Sequence, residues 1–276
     1  MKLLLVGCGN MLGAMLHRWV GHSSITHIDV ITLTGKRECE YEPHPTLNFT
    51  TSWDDISDDY DMAIVGVKPQ SLPQVLPILK PHLKGKTIVV SIAAGSKIDY
   101  FETILGKEHP VVRTMPNLPS KIGMGLTSMV CNKNVTSEQK EKTERFFDVL
   151  GETVWTDDES KMDTLTAIAG SGPGFVFLIM DYFYRAAIDL GVEEEMAKQM
   201  VIQTFKGSAQ FAAKSGTMSL EALRKAVTSK GGMTAEGIKV LQEEGLIEEM
   251  ISRALTATGE RGQQLSDELE EANKAA

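Results

Sequence analysis

Cysteine is scarce in this chain of 276 residues: Cys8, Cys39 and Cys131 are the only three. The number is odd and no pair has the CxxC spacing. A disulfide framework and a structural zinc site are therefore not expected, and a reducing compartment is implied. Positive charge is in deficit, with 28 Lys plus Arg against 37 Asp plus Glu and a formal net charge of −9. Binding a phosphate backbone needs a basic face, so nucleic acid is not an expected partner. A small anion needs only local positive charge. Long apolar runs are missing too. The longest unbroken one, Phe175 to Met180, falls far short of the roughly 18 residues of a membrane span. The opening MKLLLVG is too short an apolar run for a signal peptide and meets a glycine turn where a cleavage region would lie. No low-complexity tract, internal repeat or metal-ligand cluster stands out. These absences lead to the expectation of a cytoplasmic chain with no membrane partner.

What is present can build a core: 42% of residues are apolar and 24% charged. The first half alternates two periodicities. Leu3–Val6, Ile28–Leu33, Met62–Val67, Thr87–Ile92 and Val111–Arg113 are short continuous apolar runs, as expected of strands buried on both faces. Helical spacing lies between several of them. Met11, Leu12, Met15, Leu16, Trp19 and Val20 recur on one face, with Gly21 as a stop. Ser96 with Asp99, and Thr136 with Gln139, have the spacing of capping boxes. Strands alternating with helices predict a doubly wound parallel sheet of the Rossmann type. From Asp158 onward no strand-like run appears, and the texture is helical, broken at Gly170–Pro173, Gly191, Ser215-Gly216, Gly231-Gly232 and Gly245. The fold expected is α/β, with residues 1–157 forming a nucleotide-binding domain and 158–276 an all-α domain for substrate binding and dimerisation. The helix starting at Pro173 is apolar nearly all round, so burial against a second copy is expected beside the plainer reading of a central core helix.

The chemistry-bearing residues follow from this frame. Gly7, Gly9, Asn10, Met11 and Leu12 join the first strand to the first helix. Two glycines there let the backbone approach a pyrophosphate at a helix N-terminus. Leu12 takes the place where a small residue is usual. An acid at the end of the second strand would bind the ribose of NAD. Here that end reads Thr32-Leu33-Thr34-Gly35-Lys36-Arg37, and Asp29 sits near the start of the strand. Thr34, Lys36 and Arg37 suit a 2′-phosphate, so NADPH is the expected coenzyme, with NADH second. Val67, Lys68 and Pro69, then Ala93, Ala94 and Gly95, end the strands that lead to the crevice. Asn117 can offer its carboxamide to nicotinamide or substrate. Arg113 is either a ligand contact or a buried ion pair. In the helical half, Ser229, Gly231, Gly232, Met233 and Thr234 put a glycine bend before a helix, an arrangement that suits a carboxylate.

Six motifs, GCGNM (7–11), VKPQ (67–70), SIAAG (91–95), RTMPNLP (113–119), AGSGP (169–173) and VTSKGGMT (227–234), stand in an order that resembles the pyrroline-5-carboxylate reductases over nearly the whole chain. Lys230 stands where that family usually has proline. The resemblance implies NADPH-dependent reduction of 1-pyrroline-5-carboxylate to proline. It implies substrate carboxylate binding by the loop from Ser229 to Thr234, a ring nitrogen held by Thr234 as the catalytic group, and a homo-oligomer built from dimers. A reductase of a six-membered cyclic imino acid and a non-catalytic NADPH sensor are the alternatives. A 3-hydroxyacid dehydrogenase is disfavoured, because Met162–Ala169 contains neither its lysine nor its asparagine.

Overall fold

The structure is a computed structural model that describes residues 1–32, 41–57 and 59–274. The first part alternates β1 (Lys2–Val6), α1 (Asn10–Trp19), β2 (His27–Ile31), β3 (Leu47–Thr50), β4 (Met62–Val65), α2 (Leu72–Leu79), β5 (Ile88–Ser91), α3 (Ile98–Leu105), β6 (Val111–Met115), β7 (Gly125–Cys131), α4 (Ser137–Phe147) and β8 (Gly151–Trp155). These strands form one eight-stranded sheet in the order β3-β2-β1-β4-β5-β6-β7-β8. Every neighbouring pair is parallel except β6 with β7. The order reverses direction between β1 and β4, and that is where an open α/β sheet forms its ligand crevice.

Both faces of the sheet are covered. One layer packs Leu3, Leu5, Leu12, Met15, Trp19 and the α4 residues Phe146 and Phe147 together. Trp19 stacks on Phe146 with centroids 4.4 Å apart. The other layer packs Leu4, Val6, Ala63 and Val65 against α2 and α3 through Leu72, Leu76 and Phe101. Burial on both faces is why β1, β4 and β5 read as unbroken apolar runs.

Helix starts are set by different devices. The capping box at Thr136 and Gln139 is present, with Thr136 Oγ1 accepting from Gln139 N–H at 3.2 Å and Gln139 Oε1 accepting from Thr136 N–H at 2.9 Å. The box expected at Ser96 does not form. α3 starts at Ile98, and its first N–H donates to Glu159 Oε1 at 2.9 Å, a carboxylate 61 residues away. Against the expectation from cysteine spacing, Cys8 is disulfide-bonded, while Cys131 is free. Pairing depends on distance in the fold, which sequence spacing does not report.

The second part is helical: α5 (Met162–Leu165), a π-helical turn at Thr166–Gly170, α6 (Gly172–Asp189), α7 (Glu194–Lys214), α8 (Leu220–Ala226), α9 (Met233–Leu241) and α10 (Leu246–Lys274). Packing gathers Met1–Pro173 with the stretch from Thr256 into one compact unit and Gly174–Leu255 into a second. The helical run Glu159–Asp189 is long and apolar enough, by length and composition, to cross a membrane. No unbroken apolar run in the sequence signals it, because scattered polar residues interrupt the stretch. None of the residues of α6 is buried within the chain.

Candidate active site

A cleft of about 580 Å³ opens at the carboxyl ends of β1, β4 and β5. Among the expected residues, Gly7, Gly9, Asn10, Met11, Leu12, Val67, Lys68, Pro69, Ala93 and Ala94 line it. Gly7 has φ +90°, and a Cβ there would lie 3.0 Å from Val67 Cγ1 and 3.2 Å from the Gly66 carbonyl oxygen. The first turn therefore requires glycine. Gly9 occupies the N-cap of α1, where no side chain caps the helix and the first turn holds no acid. Its free N–H groups and positive end remain available to an anion.

Leu12 departs from the glycine pattern for a visible reason. Its side chain is 1% exposed and belongs to the core beneath the loop. Gly66 supplies the room: a Cβ on Gly66 would lie 2.8 Å from Leu12 Cδ2. The glycine at the end of β4 thus makes the space that the larger side chain at position 12 fills. The side chain of Leu12 is a packing group, and only its position in the turn brings it to the cleft. Thr32 and Ile92, which belong to the strand ends expected to face the coenzyme, also line the cleft, as do Gly66 and Ser71, which were not anticipated. Gly66, directly after an apolar strand run, was the signal available for them.

Asn117 is placed otherwise than expected. Its Nδ2 donates to the Ala169 carbonyl at 2.9 Å and its Oδ1 accepts from Leu126 N–H at 3.0 Å. The carboxamide is therefore engaged in joining the π-helical turn to β7, and Asn117 is absent from the cleft lining. Gly95 is also off the lining, with φ +73° and its back to Leu265 and Ser266. For Arg113 the ion-pair alternative is the one observed, with Glu159 at 3.1 Å and Asp163 at 2.9 Å. Thr34, Lys36 and Arg37 lie outside the described residues.

In the helical unit, Gly231 has φ +73° and Gly232 is the N-cap of α9. Gly232 N–H donates to the Ser229 carbonyl at 3.0 Å. A Cβ at Gly232 would collide with Ser229 Oγ, so the bend is closed around the serine. No side chain caps α9. Met233 and Thr234 occupy its first turn, both exposed. A helix start with free N–H groups and a hydroxyl alongside can grip a carboxylate and a neighbouring heteroatom. The groups with shifted proton affinity, Tyr41, Asp61, His109, Cys131 and Asp158, lie outside both places.

A strand-order reversal with a glycine turn at its crevice is the arrangement of a dinucleotide-binding α/β protein, and similarity to known families places this one among the oxidoreductases. A family model described as NADP oxidoreductase, coenzyme F420-dependent, matches residues 2–95. One described as pyrroline-5-carboxylate reductase dimerisation matches residues 159–265. The chain belongs to the pyrroline-5-carboxylate reductase family. It is 37% identical over 211 residues to the pyrroline-5-carboxylate reductase of Pseudomonas aeruginosa, covering 76% of this chain and 77% of that one. Among solved structures, that of a pyrroline-5-carboxylate reductase from Coxiella burnetii is 32% identical with a TM-score of 0.85, covering 96% and 98% of the two chains. A Plasmodium falciparum pyrroline carboxylate reductase with NADP bound is 28% identical with a TM-score of 0.83, again covering 96% and 98%.

Proposed function

We propose that this protein reduces 1-pyrroline-5-carboxylate to proline with NADPH. The observation that carries the reading is the glycine bend at Gly231-Gly232, which opens into α9 with Thr234 in its first turn. The cleft fits the coenzyme: Gly7 leaves the space a side chain would fill, and the uncapped start of α1 suits a pyrophosphate. Gly7, Gly9, Asn10, Met11 and Leu12 hold the phosphates, and Val67, Lys68, Pro69, Ala93 and Ala94 border the nicotinamide side. Thr34, Lys36 and Arg37 take the 2′-phosphate. Along the chain the division of labour falls near Asp158, with 1–157 for the nucleotide and 158–276 for substrate and dimerisation, a reading supported by the start of the dimerisation match at residue 159, although the residues up to Pro173 and from Thr256 pack with the nucleotide part. The enzyme works in the cytoplasm as a homo-oligomer built from dimers.

When bound, NADPH supplies a hydride to the C=N carbon. The protein's part is orientation and electrostatics. Ser229, Gly231, Gly232 and Met233 fix the substrate carboxylate at the start of α9. Thr234 Oγ1 orients the ring nitrogen and keeps its proton in place, because an iminium accepts hydride far better than a neutral imine. No strong base is needed. The test follows NADPH absorbance with five- and six-membered cyclic imino acids in parallel. Faster turnover of the five-membered ring is expected. Tight NADPH binding without oxidation by either ring would replace this reading with that of a coenzyme sensor.

A further inference from the structure

Arg113 lies on β6, which borders the cleft strand β5, and it is 1% exposed. Its guanidinium donates to Glu159 Oε1 at 3.1 Å and to Asp163 Oδ1 at 2.9 Å, while its buried Nε has no partner. Surface ion pairs carry little consequence, but a buried arginine held by two carboxylates fixes whatever those carboxylates touch. Both lead to the same loop. Glu159 Oε1 also accepts the N–H of Ile98, the residue after the Ala93–Lys97 loop. Asp163 faces Gly262 of α10, where a Cβ would lie 3.2 Å from Asp163 Cβ. One turn further along the same face of α10, Leu265 and Ser266 meet Gly95 so closely that a Cβ on Gly95 would lie 3.2–3.3 Å from them. Ser266 is 1% exposed. Ala93 and Ala94, at the front of this loop, line the cleft.

We propose that Arg113 is a positioning residue for the coenzyme: through Glu159 it holds the carboxyl end of the loop Ala93–Lys97, and through Asp163 and α10 it backs Gly95 in the middle of that loop. The proposal rests on the reading of the cleft as an NADPH site. Arginine suits the role because its planar fork can serve two carboxylates at once, which a lysine ammonium cannot do with the same geometry. Arg113 does not line the cleft, so its effect passes through the loop.

The test measures NADPH dissociation constants by fluorescence titration for the wild type, Arg113→Lys and Gly262→Ala. Gly262→Ala presses on Asp163 without removing any charge, and so remains informative if the arginine variant folds poorly. The expected result is a rise of about tenfold in the NADPH dissociation constant for each, the scale of effect that sub-ångström misplacement produces. At saturating NADPH, kcat and the KM for the cyclic imine stay within about twofold of wild type. The double variant is no worse than Arg113→Lys alone, because both act on one linkage. If wild type and both folded variants bind NADPH equally, the positioning role is overturned. If the wild type itself does not bind NADPH, the coenzyme reading falls and this role with it.

Discussion

The sheet unit and the helical unit solve burial in opposite ways. In the first, β1, β4, β5 and β6 are flanked by strands and covered on both faces, and Leu3 to Val6 are fully buried. In the second, Phe177, Leu178, Tyr182 and Phe183 of α6 are half exposed or more. A chain that seals one apolar surface and leaves another open has made the second for a partner. The family model matched there is a dimerisation model. In the proposed reading, coenzyme binding belongs to the part that buries its own apolar surface, and substrate binding to the part whose apolar helix stays open.

Changes confined to one part sharpen this contrast. The largest effect is expected from Thr234→Ala, which lowers kcat by roughly 10–1000-fold and leaves the NADPH dissociation constant unchanged. Wild-type turnover in a folded variant removes Thr234 from the mechanism. Next, Phe177→Asp together with Phe183→Asp raises the dissociation constant of the oligomer by at least roughly 100-fold, since each buried phenyl contributes about 1.5–3 kcal/mol. Analytical ultracentrifugation reads this, and NADPH binding by the separated subunits checks that the sheet unit stands alone.

Within the sheet unit, Gly66→Ala forces a methyl against Leu12 and destabilises by about 1–3 kcal/mol in urea denaturation. The same change in a Leu12→Ala background costs less, with a coupling of at least about 0.5 kcal/mol. Strict additivity would mean that the two residues do not share space. The smallest effect concerns pH. Burial holds the His109 imidazole below its usual pKa, with Lys80 adding to the lowering and a backbone hydrogen bond to Thr87 opposing it. Its Nε2 is buried without a partner. As pH falls below about 6.5, the unfolded chain takes up the proton first, so stability decreases. His109→Gln flattens the loss in urea midpoint between pH 7 and pH 5. An unchanged slope would assign the loss to other groups. Asp61 acts lower still. Burial pushes its carboxyl up, but hydrogen bonds from Lys142 and the Lys2 backbone outweigh this and leave its pKa below the usual value. Its contribution is lost only as pH falls below about 4.

The elements legible in the sequence were those whose local pattern and tertiary fate agree. Leu3–Val6 is apolar because both its faces are buried, and Thr136 with Gln139 caps a helix using only its own neighbours. The strands that went unread, β3, β7 and β8, carry mixed patterns. β7 buries Thr127 and Ser128, and β8 alternates half-buried and exposed residues as the outermost strand. α3 misled because its cap is a distant carboxylate. In the site, the glycine turn and the Gly231-Gly232 bend were legible because each is a short-range device. The fit of Leu12 against Gly66, and the engagement of Asn117 with Ala169 and Leu126, join residues far apart in the chain. No local pattern encodes either.

The contact between Gly95 and the face of α10 bearing Leu265 and Ser266 has a consequence for biogenesis. The sheet unit is discontinuous: the segment Gly174–Leu255 is made between its main body and its final piece. At synthesis rates of about 5–20 residues per second, the nascent sheet waits several seconds on the ribosome before the helix that backs its coenzyme loop emerges. In the proposed reading, ligand affinity therefore matures only once α10 has emerged, and a stalled nascent chain lacking α10 should show a formed sheet that holds nucleotide poorly.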